Sequence, residues 1–80
     1  MIEQDIIDLN FKKEVSDDGY EVFYYYTYVI VNGLTLISNS NDSLEDGGWY
    51  IDIFNTETPI RFFVKDEVLN LIKILEKAKI

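Results

Sequence analysis

Tyr24, Tyr26 and Tyr28 stand at every second position of one run, and the carboxylates Asp8, Asp42, Glu45, Asp46 and Asp52 are the other side chains with chemistry to offer. A phenol brings a large, stiff ring and a hydroxyl that tolerates water, which suits contact surfaces better than bond making. Carboxylates can hold metals or move protons, but both jobs need company. The chain has no histidine and no cysteine, which removes the commonest general base, the commonest metal ligand and the thiol nucleophile. Asp17-Asp18 is a carboxylate pair at a turn tip, without an apolar pocket to raise a pKa. Counting from Asp42, the spacing of a calcium loop fails because Leu44 falls where the second ligand belongs. No phosphate-cradling glycine loop, Gly-x-Ser-x-Gly or dinucleotide fingerprint occurs. The residues argue against an enzyme, a cofactor and a resident metal.

What remains is recognition. The formal charge is −8, and Lys12 and Lys13 are the only cations before Ile60. Such a field repels nucleic acid and anionic membrane and draws basic protein surfaces. No charged leader with an apolar run opens the sequence, and no apolar stretch is long enough for a membrane span, so the expectation is a soluble cytoplasmic protein. Starting at Met1, the chain reads as a complete small gene product, its Ile, Asn, Lys, Tyr and Phe bias suiting an AT-rich genome. Asn41-Asp42-Ser43 matches a glycosylation acceptor, read as chance without a secretory signal.

The elements that hold these residues follow from periodicity. Tyr20 to Asn32 is nearly all β-branched and aromatic and runs into Asn32-Gly33, a strong hairpin signal. Ile7, Leu9, Phe11 and Val15 alternate with Asp8, Asn10, Lys12 and Glu14, which predicts a half-buried first strand over 6–15. Asp17-Asp18-Gly19 predicts a three-residue loop with Ser16 facing Tyr20. That register sets Ile7, Leu9 and Phe11 opposite Val29, Thr27 and Tyr25, and sets Ile6, Asp8, Asn10 and Lys12 opposite Ile30, Tyr28, Tyr26 and Tyr24. A two-residue turn at Asn32-Gly33 pairs Val29 with Leu36 and Tyr28 with Ile37. Further strands are expected over 34–39, 49–54 and 60–64, and a polar, acidic loop over 39–48, where Ser43, Asp46 and Gly47-Gly48 suggest a capped helical turn. Val68, Leu71, Ile72, Leu75 and Ala78 recur at helical spacing over 66–79, with acids first and lysines last.

The expected fold is one α+β domain: a five-stranded antiparallel meander with one C-terminal helix on the face holding Ile7, Leu9, Phe11, Val29, Val31, Leu36, Trp49 and Ile51. A lone helix leaves the other face open, and the register assigns to it Tyr24, Tyr26, Tyr28 and Tyr50 with Asp8 and Asp52. With the loop acids Asp42, Glu45 and Asp46, these are the candidate partner-binding residues. The expected function is a small acidic binding protein that blocks a basic, nucleic-acid-binding surface of another protein. By analogy this fits a phage-type, anti-CRISPR-like inhibitor of a bacterial defence nuclease, or an immunity protein against a basic toxin. The alternatives are a homodimeric self-association module and a small-ligand sponge. Direct nucleic-acid or membrane binding is not expected.

Overall fold

The computed structural model describes residues 1–44 and 48–80. Its elements are α1 Glu3–Asp8, β1 Lys12–Asp17, β2 Val22–Val31, β3 Leu34–Ser38, β4 Ile51–Ile53, β5 Arg61–Phe62 and α2 Lys65–Ala78. The strands form one antiparallel sheet in the order β1-β2-β3-β4-β5, and α2 packs on it through β2 and β5. The α+β meander with a C-terminal helix is therefore present. No helix is long and apolar enough to cross a membrane among the described residues.

The N-terminus departs from expectation: residues assigned to the first strand form helix α1. Its first turn carries Glu3 and Asp5, acids that favour a helix N-terminus, and the Asp5 carboxylate accepts the Ile2 N–H at 3.1 Å. The Gln4 amide donates to Asp8 one turn on, at 2.8 Å. Ile6 and Leu9, three residues apart, share the buried side, whereas Ile7 is 45% exposed. Asn10 then takes φ 69°, a left-handed conformation that Asn accepts better than most residues, and its N–H closes on the Ile7 carbonyl at 3.0 Å. The chain thus leaves the helix and buries Phe11 before β1 begins.

Both hairpins shift the register. In the first, Asp17 pairs with Val22, Val15 with Tyr24 and Lys13 with Tyr26, so the loop is Asp18 to Glu21. Asp18 explains this: its carboxylate accepts the N–H groups of Tyr20 and Glu21 at 2.9 and 2.8 Å, while Asp17 accepts that of Gly19 at 2.9 Å. In the second hairpin Val31 pairs with Leu34, but Val29 pairs with Thr35 and Tyr28 with Leu36. The extra residue in β2, between Val29 and Val31, is a bulge that turns the rest of the strand over.

The consequence is that β2 turns its other side to the core, while Leu9, Phe11, Leu36, Trp49 and Ile51 keep the core places assigned to them. The core holds Ile6, Leu9, Phe11, Tyr26, Ile30, Leu36, Trp49, Ile51, Val68 and Ile72. Tyr24 and Tyr28 pack against it half-buried. Val29 is 63% exposed and Val31 is 39% exposed, so both leave the core assigned to them together with Ile7. Since α1 and α2 contribute to the same core as Tyr26, both helices cover the tyrosine side.

The long loop after β3 is closed by side chains standing in for backbone ladder bonds. Ser38 Oγ accepts the Tyr26 N–H at 2.8 Å, Asn41 Oδ1 accepts the Tyr24 N–H at 2.8 Å, and Asn39 bridges the Gly48 carbonyl and the Tyr50 N–H. Its described part turns through a Ser43 N–H bond to the Ser40 carbonyl. The expected helical turn involving Asp46 and Gly47 lies outside the described residues.

Candidate functional site

On the face opposite the helices, one row of paired residues runs the width of the sheet. Lys12 lies beside Thr27, Thr27 beside Ile37, Ile37 beside Asp52 and Asp52 beside Arg61. Strand alternation places Phe23, Tyr25 and Val29 on the same side as Thr27. The Phe23 and Tyr25 ring centroids are 6.4 Å apart, and Glu14 sits opposite Tyr25. At the far margin the Tyr50 ring packs on Phe63 at 5.7 Å, with the Arg61 guanidinium 4.6 Å above it. Among the described residues no helix or strand lies over this surface. It joins aromatic rings and aliphatic side chains to a few charges of both signs, the composition of a contact surface.

Asp52 is the unusual member. One carboxylate oxygen is buried without a hydrogen-bond donor among the described residues, and the Arg61 Nε that neutralises it stands at 3.6 Å, too far for a hydrogen bond. Burial pushes the Asp52 pKa above its ordinary value, and the nearby Arg61 charge opposes that only in part.

A second feature gathers at one end of the sheet. Because the Asn41 N–H bonds to the Tyr24 carbonyl at 2.9 Å, the loop carrying exposed Asp42 lies beside the hairpin carrying Asp17, Asp18 and Glu21. Glu3 reaches the same end, accepting from the Tyr26 hydroxyl at 2.5 Å and from that of Tyr24 at 3.4 Å. Lys13, 4.0 Å from the centre of the Tyr24 ring, is a cation at that end. Donation from the Tyr20 and Glu21 amides, with Glu21 the larger contributor, holds the Asp18 pKa below its usual value.

The candidate residues scatter over this frame. Tyr26 is 3% exposed and faces the helices, its ring edge-on to Trp49 at 5.7 Å. Tyr24 stacks on Trp49 at 6.2 Å and Tyr28 packs on Phe11 at 5.4 Å. The assignment of these three tyrosines to the open face is therefore corrected: the four-residue loop and the bulge turn them inward. Asp8 ends α1, 3.4 Å from Lys65, away from any strand. Tyr50 and Asp52 are on the open face as expected. Asp42 is exposed in its loop and accepts from Ser40 Oγ at 2.5 Å, while Glu45 and Asp46 lie outside the described residues. Sequence reasoning missed Phe23, Tyr25, Val29, Arg61 and Phe63, whereas Ile37 is on the open face as its pairing on that side implied. The Asp17-Asp18 pair, read as two amide-accepting turn residues, was the signal that could have recovered β1's register.

Comparison of the chain with protein-family models, with curated proteins and with solved structures finds no match.

Proposed function

We propose that the protein is a non-enzymatic binding module that sets its open sheet face, with the acidic end beside it, against a basic surface of another protein, of the kind that contacts nucleic acid. The observation that carries this reading is the uncovered face itself: Phe23, Tyr25, Val29, Ile37, Tyr50 and Phe63 lie outside the core of a chain whose net charge is −8. Aromatic anchors slow release, and net charge of opposite sign speeds encounter. An inhibitor of a defence nuclease or an immunity protein for a basic toxin would use both.

Self-association through the same face is disfavoured by charge. Two copies would each bring −8 to the contact. The free edge strand β1 carries Lys12, Lys13, Glu14 and Asp17, and charged edges resist strand pairing. A basic partner meets neither obstacle. The test is association kinetics against the partner retained at low salt and released at high salt. Replacing Asp17, Glu21 and Asp42 with their amides should slow association and flatten its salt dependence, while Tyr25→Ala should speed dissociation. Unchanged rates in both variants would contradict the reading, as would a stable dimer that needs no partner.

A further inference from the structure

The open face is not flat. At its β1–β2 margin a hollow of about 350 Å³ is lined by Asn10, Lys12, Glu14, Thr27, Tyr28 and Val29. Its lining is of two kinds. Val29 supplies apolar surface, while Glu14, Asn10 and Thr27 supply oxygen acceptors from different places: the edge strand, the left-handed residue between α1 and β1, and the neighbouring strand. Resting on the proposed docking of this face to a basic partner, we infer that the hollow receives an arginine side chain of that partner, its guanidinium on the Glu14 carboxylate and its methylene stem along Val29.

Two observations favour this occupant. First, Glu14 is held only loosely from within: the Thr27 hydroxyl stands at 3.5 Å, and Lys12 Nζ at 3.7 Å belongs to a side chain that is 80% exposed. So exposed a pair contributes little and is readily exchanged for another cation. Second, acceptors on separate walls suit a planar fork of five donors better than the point charge of a lysine. Lys12 then acts as the resident competitor, occupying Glu14 until the partner's guanidinium displaces it.

The test is amide chemical-shift mapping during titration with acetyl-arginine amide, with acetyl-citrulline amide as the isosteric neutral control. The arginine compound should shift the amides of Lys12, Glu14, Thr27 and Val29, and citrulline should leave them in place. Glu14→Gln should weaken the response about tenfold, the scale of one hydrogen bond to a charged group. Lys12→Gln should strengthen it, a gain that a merely structural role for Lys12 would not produce. Unshifted remaining amides show that each variant still folds. Equal response to citrulline, indifference to Glu14→Gln, or shifts elsewhere on the molecule would overturn the inference. A titration with polyarginine separates the two levels. If it shifts Asp17, Asp18, Glu21 and Asp42 but not the hollow, the arginine slot falls and the docking proposal stands. If it shifts nothing, both fall.

Discussion

Tyr26 shows at the scale of one residue how this chain combines an aromatic core with a polar rim. Its ring fills the space between β2 and Trp49 while its hydroxyl reaches the Glu3 carboxylate. Burial, then the bond and charge of Glu3, push the phenol's pKa upward from the ordinary value of 10.0. Folding therefore favours the neutral phenol, so its contribution is present below the unfolded value and is lost as pH rises above it. In an alkaline absorbance titration, ionisation of Tyr26 should coincide with unfolding, and Tyr26→Phe should remove that coupling. Tyr26→Phe should also cost about 1.5 kcal/mol in urea denaturation, the low end for a hydrogen bond to a charged acceptor. Asp52 is the opposite case. Its raised pKa means that folding prefers the neutral acid, so its stabilising share is complete below the ordinary value of 3.8 and is lost as pH climbs through the higher folded value. At neutral pH the ion is a liability, offset in part by Arg61. Asp52→Asn should raise the melting temperature at pH 7 by the equivalent of about 0.5 to 1 kcal/mol, and the gain should vanish at acid pH. A lower melting temperature at pH 7 would show that the Arg61 pairing outweighs burial.

Strand β2 is the element whose two sides decide the reading, and it was the hardest to orient from sequence. Tyr24, Tyr26, Tyr28 and Ile30 alternate with Phe23, Tyr25, Thr27 and Val29, and either set could line a core. Its strand character, the Asn32-Gly33 turn and the helical stripe of α2 were legible because composition and period agreed. Face assignment was not, because it hung on register, and an odd shift sends every side chain across. The first loop carries one more residue than expected, and the bulge between Val29 and Val31 has no sequence mark when both neighbours are β-branched. Helix α1 was hidden for a related reason. Ile6 and Ile7 in this six-residue helix and Leu9 just after it satisfy either period, and burial of Ile6 and Leu9 against exposure of Ile7 decides it only after folding. The observed arrangement makes a sharp prediction at adjacent positions. Ile30→Asp buries an unpaired charge and should cost on the order of 4 kcal/mol or more, enough to unfold a domain of this size. Val29→Asp should stay within about 1 kcal/mol. Urea midpoints in the reverse order would restore the register first read from the sequence.

At the scale of the whole molecule, two helices on one side and, among the described residues, none on the other give a one-sided sheet, and the acid-rich hairpin with Asp42 gives that sheet a negative end. The coarse picture of an acidic chain with one open face was available from composition and from the single long amphipathic segment. Which rings lie on that face was not. The central claim is that the surface around Phe23, Tyr25, Tyr50 and Phe63 is where a basic partner sits. Chemical-shift mapping of the complex with the salt-released partner tests it most directly. Perturbed amides should cluster on alternate residues of β2 from Phe23 to Val29, on Ile37 and Asp52, and at the Asp17 to Glu21 turn. Perturbations confined to α1 and the exposed side of α2, around Ile7 and Ile74, would contradict it.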